Sequence, residues 1–405
     1  MKLTQAGKAY EPHIGGVETV MREVAHGAVD RGWQSRVVVA SNDRRAHVES
    51  RCHTTVVRTP TLARPLSFPL THGYGRALAA SEADVLLIHE PTLLAAGALQ
   101  ARPRRRDRFG QTVIWWHSDI IRQRALAPLY GPVIKRHLDA ADRIIVATPH
   151  HITSSSVLAR YADKIDVIPY GIDLSRYDIN PPGDPERADR VQRLRAELLP
   201  DSDDAIIVNA GRLARYKGIS HLVAAFDEVR NAHLVVAGNG PCADEVRNSA
   251  ATRTGRLTML PHLDDDAFVD LLHAADVFVM PSIHNSEAFG IAQVEAMACG
   301  TPVVTYDLPT GVTWVNRHDE TGLVAPLGDI DGLALAIQHL VDDPPYRQHL
   351  AEGAHRWAHA TFDRRDMVDS VFNVFKGCGQ FDRSEVSAES TQRRRVAAGS
   401  QTKDR

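Results

Sequence analysis

Several features that mark whole classes of protein are scarce or missing in this sequence. Only four of the 405 residues are cysteines, and no pair of them has the CxxC or CxxH spacing of a zinc or redox site. We interpret them as buried or incidental thiols in a reducing compartment. No run of about 18 apolar residues occurs that could span a membrane. The first residues also lack the apolar stretch of a signal peptide. The sequence therefore predicts a cytoplasmic protein.

A strong excess of one charge sign is missing as well. The formal net charge is −3, which argues against a protein that binds nucleic acid or another polyanion with its whole surface. The segment 101–110, ARPRRRDRFG, is a local exception. Its five arginines are Arg102, Arg104, Arg105, Arg106 and Arg108. This segment is either a solvated loop or a patch that meets an acceptor, anionic lipid headgroups or a lipid diphosphate.

Short apolar runs alternate with helix-like segments along most of the chain. Continuous apolar strands that alternate with helices are typical of a parallel sheet covered on both faces, and 405 residues are too many for one core. The sequence therefore predicts an α/β protein with two doubly wound domains. The expected strands lie at 35–40, 83–90, 111–119, 141–149, 164–173, 205–213, 233–240, 256–262, 276–282 and 301–307.

Composition sets the expected domain boundaries. The predicted order is an N-terminal domain at 1–172, a linker with a solvated helix at 173–204, a C-terminal domain at 205–360, a C-terminal helix at 361–379 that returns to the N-terminal domain, and a tail at 380–405. The tail has almost no large apolar residues, so we expect it to be disordered.

Polar residues just beyond strand ends are the first candidates for a site. Ligands of open α/β sheets bind outside the carboxyl ends of the strands, and two such domains would place the site in the cleft between them. The residues at these positions are Glu90, His117, Arg212, Gly238 and Glu287.

Two glycine-containing loops could bind phosphate. GRLARYKG, residues 211–218, follows a strand and precedes a helix, and its Arg212 and Lys217 could converge on a diphosphate. A solvated basic loop is the alternative. In HIGGVE, the amides of Gly15 and Gly16 could face a phosphate at the start of a helix. A plain tight turn would also explain this pair.

The stretch NSEAFGIAQVEAMACG contains two acids with different expected positions. Glu287 should lie in a loop and Glu295 about two turns into the following helix. One acid could hold sugar hydroxyls and the other ribose hydroxyls, with phosphates at the helix mouth between them. A capping carboxylate and a solvent-facing glutamate are the alternative. The backbone amides at the helix mouth belong to Phe289, Gly290 and Ile291.

Two further segments have simpler interpretations. The acidic run 263–268, LDDDAF, could be a DxD-type metal site, but acids at the start of a helix favour an N-cap. The segment 238–243, GNGPCA, lacks the third glycine of a dinucleotide fingerprint and is better explained as a turn near a nucleotide base.

These motifs together resemble a known family. EAFGIAQVE resembles the E-x7-E motif of retaining GT-B glycosyltransferases of family GT4, and GRLARYKG resembles their donor diphosphate loop. The N-terminal KAYEPHIGGVE, IPYGID and DETGLVAPLGD are also similar to segments of that family. The resemblance extends to about residue 375, although the first strand, KLTQAGKAY, is unusually polar for it.

The resemblance implies a GT-B fold, in which two Rossmann-like domains face a central cleft. Arg212 and Lys217 would hold the donor diphosphate, Glu295 the ribose, and Glu287 the transferred sugar. His117 resembles the active-site histidine that contacts the sugar. Phe289, Gly290 and Ile291 would bind the donor through their backbone, and Gly15 and Gly16 would lie near its phosphates.

The activity implied is retaining transfer of a hexose from a nucleotide sugar to a saccharide acceptor. The segment 307–329 resembles enzymes of bacterial surface polysaccharide synthesis, which favours mannose from GDP-mannose and a polyprenyl-diphosphate-linked acceptor. Cationic side chains would stabilise the leaving diphosphate, so neither a metal nor another cofactor is expected. The enzyme would be peripheral on the inner face of the plasma membrane and would have no nucleic-acid partner.

Three alternatives remain open at this stage. The first is a GT4 enzyme that uses a UDP-sugar with a soluble acceptor. The second is a nucleotide-sugar-binding protein without transfer activity. The third is a nucleotide-sugar epimerase on the same fold, which would convert the donor with no acceptor present.

Overall fold

The structure is a computed structural model. It describes residues 1–377 except 14, 64–68, 93, 96–108, 119–126, 156, 182–183 and 200–201. The five arginines of segment 101–110 and the predicted disordered tail therefore lie outside the described residues.

The N-terminal domain is built on an eight-stranded sheet with the order β10-β9-β8-β7-β1-β2-β4-β3. Its strands are β1 (Lys2–Ala6), β2 (Gln34–Ala40), β3 (His47–Arg51), β4 (Thr54–Thr59), β7 (Ala83–Glu90), β8 (Phe109–Trp116), β9 (Arg143–Val146) and β10 (Ile165–Val167). All neighbours pair in parallel except β3 and β4, which form an antiparallel hairpin at one edge. Two short strands, β5 (Thr61–Ala63) and β6 (Leu70–Thr71), pair separately.

The C-terminal domain is built on a six-stranded sheet with the order β13-β12-β11-β14-β15-β16, and all its strands are parallel. The strands are β11 (Ala205–Ala210), β12 (Ala232–Ala237), β13 (Leu257–Leu260), β14 (Val277–Met280), β15 (Val303–Tyr306) and β16 (Gly322–Ala325). The prediction of two doubly wound α/β domains is confirmed.

Helices cover both sheets and connect their strands. In the N-terminal half they are α1 (Gly16–Asp30), α2 (Tyr74–Ala79), α3 (Ala127–Asp139) and α4 (His150–Ser154), followed by α5 (Arg187–Leu198) between the domains. The C-terminal half contains α6 (Ile219–Phe226), α7 (Ala243–Arg247), α8 (Ala250–Arg253), α9 (Asp265–Ala274), α10 (Ile291–Ala298), α11 (Val312–Val315), α12 (Ile330–Asp342), α13 (Pro344–Thr361) and α14 (Arg364–Phe375). None of the helices in the described part of the chain has the length and hydrophobicity needed to cross a bilayer.

Aspartate caps fix where several helices of the C-terminal half begin. The carboxylate of Asp264 accepts a hydrogen bond of 2.9 Å from the amide of Ala267, which starts α9. Asp265 and Asp266 follow in the first turn, where negative charge complements the helix dipole. The acidic run 263–268 is thus an N-cap, as its sequence indicated.

The polar first strand lies in the middle of the N-terminal sheet, between β2 and β7. Its Gln5 is fully buried and donates a hydrogen bond of 3.0 Å from Nε2 to the carbonyl oxygen of Met21 on α1. A buried amide is tolerated when its polar atoms are paired. The polar residue is therefore compatible with a central strand.

The chain passes between the two domains at two adjacent crossings. The amide of Ile172 donates to the carbonyl of Phe362 at 2.8 Å, and the amide of Arg364 donates to the carbonyl of Ile172 at 2.9 Å. A Cβ atom at Gly171 would lie 2.5 Å from the carbonyl oxygen of Asp363. The two crossing segments therefore approach each other so closely that only glycine fits at position 171. Helix α14 then packs on the N-terminal domain, where Phe372 stacks edge-on against Trp33 at 4.9 Å between ring centroids.

Candidate active site

The loop 211–218 leaves the carboxyl end of β11 in a shape that requires glycine at both ends. Gly211 has φ +132° and Gly218 has φ +69°. A Cβ atom at Gly218 would lie 1.8 Å from the carbonyl oxygen of Pro281, so no other residue fits without moving the backbone. This close contact holds the loop against the segment that follows β14. Arg212 on this loop is exposed, and no described residue pairs with its guanidinium.

Lys217 and Glu287 form a direct ion pair across these two segments. The same carboxylate oxygen accepts a hydrogen bond of 3.1 Å from the hydroxyl of Ser282. Burial alone would lower the pKa of Lys217, but the adjacent Glu287 carboxylate outweighs burial, and the pKa of the lysine is raised. The site therefore holds a fixed positive charge beside a buried carboxylate, although the two residues are 70 positions apart in the sequence.

Glu295 lies on α10, one turn after the helix begins at Ile291 rather than the two turns expected. The helix begins where the sequence indicated, with Gly290 as the N-cap at a left-handed φ of +77°, but the four positions from Ile291 to Glu295 cover only about one turn. Burial raises the pKa of the Glu295 carboxyl group. Its Oε1 accepts a hydrogen bond of 2.7 Å from the hydroxyl of Tyr177.

The N-termini of two helices face each other across the cleft between the domains. A Cβ atom at Gly16, the first residue of α1, would lie 3.1 Å from Cδ1 of Ile291, the first residue of α10. In the described part of the chain, the amides of Phe289, Gly290 and Ile291 have no acceptor. Helix N-termini with free amides attract anions. The cleft is therefore suited to a phosphate-bearing ligand.

His117 lies at the end of β8 within a chain of buried hydrogen bonds. Its Nε2 is 2.9 Å from Nδ1 of His89, and its Nδ1 is 2.6 Å from the hydroxyl of Tyr170. Nε2 of His89 is in turn 2.9 Å from Oε1 of Gln5. The rings of His89 and His117 are nearly parallel, with an interplanar angle of 7° and 5.2 Å between their centroids.

This chain of hydrogen bonds determines both histidine tautomers. The carbonyl of Met21 can only accept, so Gln5 Nε2 donates to it and Gln5 Oε1 must accept from His89 Nε2. A neutral His89 then accepts at Nδ1 from His117 Nε2–H, and Tyr170 donates to His117 Nδ1. Burial lowers the pKa of both rings, that of His89 to about 3, which keeps them neutral.

The consequence is that both ring nitrogens of His117 are already engaged within the protein. A hydrogen bond from either ring nitrogen to a sugar would require one of these hydrogen bonds to be given up. Tyr170 connects the chain to the other domain, because its ring packs against Phe289 at 4.8 Å between centroids. His117 is thus linked to the helix mouth through Tyr170.

Comparison with known proteins assigns the chain to a family. Residues 14–176 match the model of Glycosyltransferase Family 4, and residues 191–357 match that of Glycosyl transferases group 1. The chain is 30% identical to the D-rhamnosyltransferase WbpZ of Pseudomonas aeruginosa over 84% of its own length and 86% of that protein. The chain belongs to the GT-B glycosyltransferases.

Two further matches agree with this family. This glycosyltransferase is 28% identical to the O-antigen chain mannosyltransferase C of Escherichia coli, over 93% of its own length and 98% of that protein. The fold matches HepE of Anabaena, solved in complex with UDP, with a TM-score of 0.72 at 19% identity, over 93% of this chain and 100% of that one.

Sequence reasoning missed several residues that shape the site of this glycosyltransferase. Tyr177 lies within the predicted linker 173–204, Tyr170 within the predicted strand 164–173, and Ser282 ends the predicted strand 276–282. Gln5 and His89 lie inside strands. The only sequence signal that could have indicated them is a polar residue within an otherwise apolar strand. Of the residues named as candidates, the structure places Lys217 with Glu287 and Gly16 beside Ile291.

Proposed function

We propose that this glycosyltransferase transfers a hexose, with mannose from GDP-mannose as the favoured donor, to a saccharide acceptor carried on polyprenyl diphosphate. The pairing of Lys217 with Glu287 beside the two helix N-termini is the observation that carries the proposal. Lys217 supplies a cation and the helix N-termini supply free amides for the diphosphate. Glu287 supplies a buried carboxylate that can accept hydrogen bonds from sugar hydroxyls.

The proposed reaction retains the anomeric configuration. The acceptor hydroxyl attacks the anomeric carbon on the face from which the diphosphate departs, and the departing phosphate oxygen takes up the hydroxyl proton. Lys217, Arg212 and the amides at the start of α10 stabilise the charge that develops on the leaving group. Glu295 accepts hydrogen bonds from the ribose, and Gly15 and Gly16 lie near the phosphates.

Because these cations supply the positive charge that the leaving group needs, we propose that transfer requires no metal. Transfer measured after exhaustive treatment with EDTA should equal that of the untreated enzyme. Loss of activity that added Mg²⁺ or Mn²⁺ restores would overturn this part of the proposal.

The choice of donor and acceptor rests on similarity. The relative from Escherichia coli is named an O-antigen chain mannosyltransferase, which favours mannose and a growing lipid-linked saccharide. We also propose that the enzyme is peripheral on the inner face of the plasma membrane and binds anionic lipid through the arginines of segment 101–110. Binding to anionic vesicles should then be lost when Arg104, Arg105 and Arg106 are replaced by glutamine.

The second candidate is transfer from a UDP-sugar to a soluble acceptor, since the fold also matches HepE, which was solved with UDP. Calorimetric titration with GDP-mannose, UDP-glucose, UDP-galactose and UDP-N-acetylglucosamine separates the two, with Arg212→Ala as the control for the diphosphate loop. Selective GDP-mannose binding that Arg212→Ala weakens supports the favoured donor. Selective UDP-sugar binding replaces that donor, and absence of all binding to folded protein refutes transfer from a nucleotide sugar.

A further inference from the structure

Tyr177 contacts a carboxylate at which the proposed donor would bind. It ends a short 3-10 helix, Leu174–Tyr177, in the segment that has just crossed from the N-terminal domain. The side chain is 6% exposed, and its hydroxyl donates to Glu295 Oε1 at 2.7 Å. In the described part of the chain no group pairs with Glu295 Oε2. One oxygen of this carboxylate is therefore fixed, and the other is available.

The backbone on both sides of Tyr177 is held in place by a buried arginine. Nη1 of Arg187 donates to the carbonyl oxygen of Arg176 at 2.7 Å and to that of Asp178 at 3.0 Å. Arg187 is 3% exposed, and its charge is balanced by Asp270, 3.2 Å away, among other carboxylates. The tyrosine hydroxyl is thus presented to Glu295 from a rigid segment rather than from a loose loop.

We propose that Tyr177 is a positioning residue that orients Glu295 for the two vicinal hydroxyls of the donor ribose. The inference rests on the proposed function, in which Glu295 holds the ribose. A free glutamate side chain populates several rotamers, and ordering it costs conformational entropy. The hydrogen bond from Tyr177 fixes Oε1 before the ligand arrives, which leaves the lone pairs of Oε2 directed at the ligand.

The effect should depend on the ribose hydroxyls, and this distinguishes positioning from general support of the fold. Tyr177→Phe removes one oxygen atom and keeps the ring. We expect it to weaken binding of GDP, or of UDP if that is the preferred nucleotide, by roughly three- to tenfold. Binding of the matching 2′,3′-dideoxy nucleotide should change by less than about twofold, because that nucleotide has no ribose hydroxyl that could donate a hydrogen bond to Glu295.

Two further variants complete the titration calorimetry experiment. Tyr306→Phe removes the hydroxyl of a fully buried tyrosine of the C-terminal domain, which is hydrogen-bonded to His221, and should leave the affinities for both the ribose and the dideoxyribose nucleotide unchanged. In the Glu295→Gln background, Tyr177→Phe should have no further effect on ribonucleotide binding. Thermal unfolding of each variant shows whether it is folded.

The outcomes separate this inference from the proposed function. An equal loss of affinity for ribose and dideoxyribose nucleotides, or an additive loss in the double variant, would overturn the role of Tyr177. Failure of the folded wild-type protein to bind either GDP or UDP would instead refute the proposed function. If Tyr177→Phe does not fold, a wild-type preference for ribose that survives in Glu295→Gln would by itself refute the inference.

Discussion

At the scale of single residues, the ammonium of Lys217 is held against the buried carboxylate of Glu287. If this cation stabilises the leaving diphosphate, Lys217→Met should lower kcat by roughly 100- to 1,000-fold, because the charge is needed most in the transition state. KM for the donor should change much less. Steady-state transfer with the donor found by calorimetry measures both constants.

The same loop provides a matched control for this prediction. Arg215 is an exposed cation two positions away, and none of the described contacts places it against Glu287. Arg215→Met should therefore leave kcat within about twofold of wild type. A similar loss in both variants would indicate that general positive charge on the loop, rather than Lys217 itself, supports the reaction.

A second prediction at this scale concerns the buried histidine pair. Burial lowers the pKa of His89 to about 3 and that of His117 well below its usual value, whereas a histidine of the unfolded chain titrates near about 6.5. Below that pH the unfolded chain binds protons that the folded chain excludes. The free energy of unfolding should therefore fall by about 1.4 kcal/mol for each such histidine as the pH is lowered from about 7.5 to about 5.5.

The measurement is urea unfolding between about pH 7.5 and pH 5.5, where a histidine of the unfolded chain changes charge. His89→Gln removes one of the two titrating rings and should make stability less dependent on pH than in wild type. His262→Gln, at an exposed position, serves as the control and should leave the slope unchanged. Equal slopes in all three proteins would contradict the assignment of neutral buried histidines.

At the scale of elements, two glycines with the same backbone conformation allow the close contact of the diphosphate loop to be tested. Gly218 has φ +69° and no room for a Cβ atom, whereas Gly255 has φ +73° and no atom within 4 Å of that position. Gly255→Ala should cost only the strain of a left-handed alanine, about 1 kcal/mol. Gly218→Ala must in addition displace the backbone near Pro281.

We therefore expect Gly218→Ala to weaken nucleotide binding by at least about tenfold and Gly255→Ala to leave it unchanged. Titration calorimetry gives the affinities, and thermal unfolding separates a distorted loop from an unfolded domain. Comparable affinities for the two variants would show that the loop tolerates displacement and that the contact with Pro281 does not shape the site.

At the scale of the whole molecule, the last helix joins the end of the chain to the N-terminal domain. Helix α14 buries Met367, Val371 and Phe372, and each buried apolar side chain contributes about 1.5–3 kcal/mol. A chain that ends at Asp363 should therefore lose several kcal/mol of stability in the N-terminal domain. A chain that ends at Gly377 keeps the helix and should unfold at the wild-type temperature in differential scanning calorimetry.

The outcome also tests how the two domains are connected. If the chain that ends at Asp363 unfolds like wild type, the packing of α14 on α1 contributes nothing to the stability of the N-terminal domain. If it unfolds in two separate transitions, of which only the first is lowered, the C-terminal domain is stable without the helix.

Local pattern was enough to predict most of the strands. The predicted strand at 83–90 is β7 with the same bounds. The edge hairpin of β3 and β4 was not predicted, because HVESR has little apolar content and its turn uses Cys52 and His53 in left-handed conformations instead of glycine. Turn chemistry of that kind leaves little signal in a single sequence.

The sequence by itself determined the parallel strands of the two sheets, the glycine-bounded loop and the family, because periodicity, helix caps and ordered motifs are local properties of the chain. The tertiary structure alone decided which groups meet. Tyr177 and Glu295 are separated by 118 residues, and Gln5 and His89 by 84. Such hydrogen bonds depend on how the crossings between the domains and the order of the strands bring distant segments together, and no local pattern encodes that geometry.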